Sequence, residues 1–198
     1  MLINAKDGIP IVADMQVPAD GPAPAESVPL VLLHGLSQQR HYWKPVMRHL
    51  SHRILITVDQ RGHGEGATDE VDAQSDFSMD RLADDVMDVL AAYELESAIV
   101  VGHSWGASVA LHTAARHPHA VRSAVLLDGG LFGPRHLVSD DRSLGDIREA
   151  LRPPPLGLLE PALWQAISGG DLSPYWSAAI REALTPTFSI DEAGRAFT

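Results

Sequence analysis

The chain has 198 residues, 45% hydrophobic and 21% charged, which fits one soluble globular domain with or without an attached subdomain. A formal net charge of −11 argues against a nucleic-acid or anionic-membrane surface, because phosphate contacts need clustered Lys and Arg. The absence of cysteine excludes disulfides, thiolate metal sites and a cysteine nucleophile.

The opening MLINAKDGIPIVADMQVPAD has no basic region followed by an apolar run, and no segment reaches the apolar length of a membrane span; a cytoplasmic location is the expectation. Residues 9–17 (IPIVADMQV) predict a strand paired with Leu2–Asn4 across the Asp7-Gly8 turn. A Pro/Ala/Gly loop over 18–27 leads to VPLVLLHG (28–35), an apolar run of the kind that forms a strand buried on both faces. Trp43, Val46, Met47 and Leu50 share one face of a helix over 41–50, with Pro45 in its first turn. RILITVD (53–59) predicts a second buried strand, and the polar QRGHGEGATDE a loop. Over 78–93, Met79, Leu82, Ala83, Val86, Val89, Leu90 and Tyr93 form an apolar helix face, with Asp80, Asp84, Asp85 and Asp88 opposite. SAIVVGH (97–103) is a third buried strand, 105–116 a third helix, and VRSAVLLDGG (121–130) a fourth buried strand.

This alternation predicts an α/β fold, a mostly parallel sheet flanked by helices. Beyond residue 131 the pattern changes to short helical segments broken at Pro153–Pro155, with no further buried strand. The expected division is an α/β core over 1–130 and a helical cap segment over 131–198. An apolar site is expected beneath the cap. Trp164, Trp176 and Phe188 are candidates for that pocket, or more readily for the cap's own core.

The chemistry concentrates in GHSWG (102–106), where a strand ends, a helix begins and Ser104 sits on the turn. Such a turn can push a serine hydroxyl clear of the backbone and beside a helix N-terminus, where negative charge is stabilised. Taken alone, the pentapeptide also fits a glycine-flanked turn with a helix N-cap serine. LLHGL (32–36) puts His-Gly at the end of another strand, and the backbone N–H groups of Leu36 and Trp105 become candidates for an oxyanion hole. His34 fits a loop-shaping role. In VDQRGHGEG (58–66), Asp59 and Arg61 are expected to pair or to bond loop backbone. A metal at Asp59, His63 and Glu65 is disfavoured, because loop spacing does not set ligand geometry.

LLHG, VDQRGHG and VVGHSWGAS, in this order and spacing, resemble the α/β-hydrolase family, specifically its esterase, lipase and haloperoxidase-like members. The resemblance covers residues 1–130, and the tail matches the helical cap only in composition. It departs at Gly66, where such loops often carry serine. Related dehalogenases and epoxide hydrolases use aspartate at the elbow, so Ser104 implies acyl-serine chemistry on an ester, thioester or lactone, without a cofactor. The nearest enzymatic alternative is a cofactor-free haloperoxidase or perhydrolase. The rival from another class is a non-catalytic binding protein on the same scaffold, or an inactive fragment of it lacking its histidine.

A serine nucleophile needs a histidine base and an orienting carboxylate, in this family in the chain order Ser, acid, His. His112 lies eight residues along the helix from Ser104, roughly 12 Å at about 1.5 Å per residue, and is too distant. His136 alone follows a candidate acid in chain order, though little else favours it. Asp128 is that acid, at the end of the fourth buried strand; a turn-forming role before Gly129-Gly130 competes. Family members add two strands after the cap, and none is evident here. A further C-terminal segment or a second chain is therefore expected to complete the site, which would accept a neutral, apolar small molecule.

Overall fold

A computed structural model describes residues 1–18, 27–67, 74–131, 143, 145, 160–169 and 176–197. The chain divides into two compact units, Met1–Leu131 and Phe132–Thr198. Among the described residues, no helix is long and apolar enough to cross a membrane.

The first unit is built on six strands: β1 (Leu2–Asn4), β2 (Pro10–Gln16), β3 (Leu30–Leu33), β4 (Leu55–Asp59), β5 (Ala98–His103) and β6 (Val121–Leu127). Their spatial order is β1-β2-β4-β3-β5-β6. β1 and β2 form an antiparallel hairpin, and β2 is antiparallel to β4. β4, β3, β5 and β6 are mutually parallel, so their carboxyl ends gather on one rim.

Side chains alternate across a strand, so one sequence run serves both faces. Val31, Leu33, Ile56, Val58 and Val100 pack against helix α2 (Met79–Ala92) and helix α3 (Trp105–Arg116) through Leu82, Val86, Val89, Leu90, Val109 and Ala110. Leu32, Leu55 and Val101 point the other way and meet Trp43, with Tyr42, Met47 and Leu50 around it. The near-continuous Val/Ile/Leu runs follow from this two-sided burial.

Three expectations change. The helix over 41–50 is a 3₁₀ turn, Arg40–Trp43, followed by a single α-turn, α1 (Lys44–Met47). Trp43 is buried while Val46 is exposed, because too little helix remains to bury a whole face. On α2, Asp85 and Asp88 are buried instead of facing water with Asp80. Their acidity serves ion pairing. The fully buried Arg61 donates from Nε and Nη2 to Asp85 at 2.5 and 2.6 Å, and from Nη1 to Asp7 at 2.8 Å and the Asp76 carbonyl at 2.7 Å. Arg81 bridges Asp85 and Asp88. Finally, β6 is only half-buried, with Val125 and Leu127 about 40% exposed, because among the described residues it pairs on one side only, with β5.

Arg61 thus ties the β1–β2 turn to α2. Arg61→Met should lower unfolding free energy by about 3 kcal/mol, since Asp85 stays buried with one cation fewer. Urea titration checks this; a loss below about 1 kcal/mol contradicts it.

In the second unit, α4 (Glu160–Gly169) and α5 (Ala178–Leu184) precede a two-stranded hairpin, β7 (Ser189–Ile190) with β8 (Ala196–Phe197). The hairpin escaped the sequence pattern because each strand has two residues. Its turn is set by Asp191 Oδ1, which accepts from the N–H of Ala193 and of Arg195 at 2.9 and 2.8 Å. Trp176 and Phe188 each pack on Trp164, with ring centroids 6.2 and 5.6 Å from it. Arg181 lies over the Trp164 ring at 5.1 Å.

Candidate active site

β5 ends at His103 and α3 begins at Trp105, leaving one residue, Ser104, to reverse the chain. Close packing of strand and helix requires glycine at two points. A Cβ on Gly102 would overlap the Gly106 carbonyl, and one on Gly106 would overlap the Leu33 and His34 carbonyls. The Ser104 backbone takes φ 51°, ψ −113°, a region that L-residues seldom enter.

This geometry separates Ser104 from an ordinary capping serine. Ser78 and Ser177 have extended backbones, and their hydroxyls accept from the N–H three residues on, at 3.2 and 3.3 Å. Ser104 occupies the same position relative to α3 but makes no side-chain cap. It is exposed, so its hydroxyl is free for another partner. The Trp105 N–H is the first of α3, one of the groups that have no acceptor within a helix.

The loop after β3 approaches from the other side: a Cβ on Gly35 would lie 3.2 Å from Ser104 Cβ. The fully buried His34 organises this loop. Its Nδ1 donates to the Gly35 carbonyl at 2.8 Å, while Nε2 accepts from the Gln60 N–H at 3.2 Å. Gln60 Nε2 returns a bond to the His34 carbonyl at 2.7 Å. In a trans peptide, N–H and C=O point opposite ways. Anchoring the Gly35 carbonyl to His34 therefore aims the Leu36 N–H away from that anchor. Ser37 follows with φ 62°, closing the turn.

Burial holds the His34 imidazole down to about 3, so it is neutral at pH 7 in the tautomer these bonds require. The unfolded chain protonates His34 from about pH 6.5 downward. It then binds more protons than the folded chain, so stability falls as pH drops from about 6.5 toward 3. His34 alone should remove about 2 kcal/mol between pH 7 and pH 5. Denaturant midpoints of wild type and His34→Asn check this; equal pH dependence contradicts it.

His103 and Tyr42 stack with centroids 5.1 Å apart. Burial keeps the His103 imidazole below its ordinary range and raises the Tyr42 phenol, and the charge of Asp128 is felt at both. Asp128 is exposed at the exit of β6 with φ 50°. The Ser104 N–H donates to the adjacent Leu127 carbonyl at 2.8 Å, which fixes Asp128 beside the elbow.

Asp59 and Arg61 do not pair with each other. Asp59 pairs with Arg40 and accepts from the Glu65 N–H at 3.1 Å, while Arg61 turns to α2. His63 lies against His34 with centroids 5.0 Å apart, its Nδ1 on the Arg61 carbonyl at 3.0 Å. His112 and His117 meet Asp80 and Asp84 at 2.7 and 2.8 Å. Among the described residues, no histidine bonds the Ser104 hydroxyl. His136 lies outside the described residues. Sequence reasoning passed over Gln38, Gln60 and Tyr42. The spacing Gly35-x-x-Gln38, the reach-back of a capping box, was the available signal for Gln38.

A parallel-sheet rim carrying a serine elbow against a His-Gly loop defines the class: the chain belongs to the α/β hydrolase fold family, which matches residues 28–175. Among curated relatives, Epoxide hydrolase B of Mycobacterium tuberculosis is 34% identical over 132 residues, covering 59% of this chain and 36% of its own length. The 2-(acetamidomethylene)succinate hydrolase of Mesorhizobium japonicum is 38% identical over 104 residues, 52% of this chain and 36% of its own length. The chain spans about a third of the length of these relatives. A hydrolase from Pseudomonas aeruginosa PA01 matches in structure with a TM-score of 0.67 at 20% identity, over 94% of this chain and 66% of that one. An esterase from Exiguobacterium antarcticum matches with a TM-score of 0.55 at 23% identity, over 66% and 46%. At these identities the structural likeness concerns the fold.

Proposed function

We propose that the protein is a serine hydrolase acting on a neutral ester, thioester or lactone through an acyl-Ser104 intermediate. The observation that carries this reading is the positive-φ backbone of Ser104, with its hydroxyl exposed and unused for capping. In this reading Ser104 Oγ attacks the substrate carbonyl carbon and gives its proton to a histidine base. The carbonyl oxygen becomes an oxyanion and accepts from the Leu36 and Trp105 N–H groups. Collapse expels the alkoxide or thiolate, which takes the proton from the base. Water then attacks the acyl-serine by the same route in reverse, freeing the acid.

Asp128, beside the elbow, is assigned to orient the base. The base comes from outside the described residues: His136, a further segment or a second chain. Serine at the elbow favours acyl transfer over the epoxide opening named for the Mycobacterium tuberculosis relative, since aspartate is implied for epoxide-opening members. The half-exposed Leu36, next in the chain to the Gly35 that approaches Ser104, and the net charge of −11 favour a neutral, apolar acyl group.

A chain-length screen with p-nitrophenyl esters, with the base-bearing segment or chain present, tests the reading. Turnover should favour neutral acyl groups, vanish in Ser104→Ala and fall at least about 100-fold in Asp128→Asn. Turnover retained in Ser104→Ala overturns it. One observation favours a second reading, a non-catalytic protein on the same scaffold: no described histidine reaches Ser104. Ester turnover that depends on Ser104 decides against that alternative.

A further inference from the structure

We propose that Gln38 is a positioning residue whose amide oxygen ties together the two segments carrying the oxyanion donors. The inference rests on the reading of the Leu36 and Trp105 N–H groups as those donors. Gln38 Oε1 accepts from the Gly35 N–H at 3.0 Å, and the Gln38 N–H donates to the Gly35 carbonyl at 3.2 Å. Both ends of Gly35 are thus held by one residue. The second bond lies in the peptide plane that carries the Leu36 N–H, so Gln38 and His34 jointly set that donor's direction.

The same Oε1 lies 3.3 Å from His103 Nδ1, on the residue immediately before Ser104. An amide oxygen only accepts, so His103 must present Nδ1–H to it. Depressed by burial, His103 is neutral near pH 7, and this bond selects its tautomer. Tyr42 closes the arrangement by stacking on the His103 ring. One oxygen therefore joins the loop bearing Leu36 to the elbow bearing Trp105. Two donors on separate segments need such a tie, because a misplacement of about 1 Å can cost about 100-fold in rate.

Gln38→Met keeps the length of the side chain and removes the acceptor; Gln38→Glu restores an acceptor oxygen. Two readouts are taken on the 198-residue chain: the rate of Ser104 phosphonylation by a fluorophosphonate, and nitrogen-15 NMR of the Gly35 amide and the His103 ring. Gln38→Met should phosphonylate about 10- to 100-fold more slowly at an unchanged half-saturating probe concentration. Its Gly35 amide should exchange at least about 10-fold faster, and its His103 ring should lose the Nδ1–H signature. Gln38→Glu should recover both. Phosphonylation of Gln38→Met at the wild-type rate overturns the inference, as does Gln38→Glu as slow as Gln38→Met. If wild type leaves Ser104 unmodified, the hydrolase reading fails separately. The tie then stands if the Gly35 and His103 signals move in Gln38→Met and return in Gln38→Glu. It falls if they do not.

Discussion

With the histidine base supplied, Ser104→Ala is expected to lower ester turnover by about 10⁴-fold or more, the scale seen when a serine nucleophile is removed from an assembled site. The substitution deletes one hydroxyl and keeps the Cβ, so the strained backbone persists. Ser104→Gly should lose activity equally but gain about 1 kcal/mol of stability over Ser104→Ala, because glycine adopts φ 51°, ψ −113° without penalty. Thermal unfolding of the pair checks this. A glycine variant less stable than the alanine variant contradicts the view that strain is stored at the elbow. Comparison with wild type separates the two roles: a capping serine would lose about 1 kcal/mol on replacement by alanine and a few tenths by glycine, whereas at the strained elbow glycine should be more stable than wild type.

Gly102→Ala should prevent folding, or cost more than about 4 kcal/mol, because its Cβ would overlap the Gly106 carbonyl and both groups are backbone. No side-chain rearrangement can relieve that contact. Gly8→Ala is the control. Its Cβ meets nothing within 4 Å, and only the positive φ of 87° is unfavourable. It should cost about 1 kcal/mol. Expression yield and urea midpoints compare the two. Similar losses would mean that the strand-to-helix approach is looser than its geometry indicates.

The α/β core was legible because its strands are buried on both faces and its helices on one, and each condition leaves a period in the sequence. Leu2–Asn4 with residues 9–17, the runs over 28–35, 53–59 and 97–103, and the helix over 78–93 all emerged in this way. Periodicity failed where an apolar strand was only half-buried or charge was structural. VRSAVLL reads as a fully buried strand, yet β6 exposes Val125 and Leu127. Asp85 and Asp88 read as solvent-facing because the pattern cannot show that Arg61 reaches Asp85 from another loop and that Arg81 bridges Asp85 and Asp88. The β7–β8 hairpin was too short to carry a period.

The candidate site was legible through glycines. GHSWG and HG mark places where backbones must approach closely, which is a local property. The polar groups that shape those places are long-range and were not. Gln60 reaches His34 across 26 residues, and Gln38 lies against His103 across 65. No single-sequence period records such pairings.

Proteolytic mapping of the fluorophosphonate adduct on the 198-residue chain tests the central claim most directly. An elbow and oxyanion donors retain part of their rate advantage without a base, on the order of 10³-fold over water in related sites. The account therefore predicts a slow, stoichiometric adduct confined to the peptide containing Ser104, and faster labelling when a histidine-bearing segment or partner is supplied. A chain that stays unmodified, or whose adducts spread over its other serines, would contradict it.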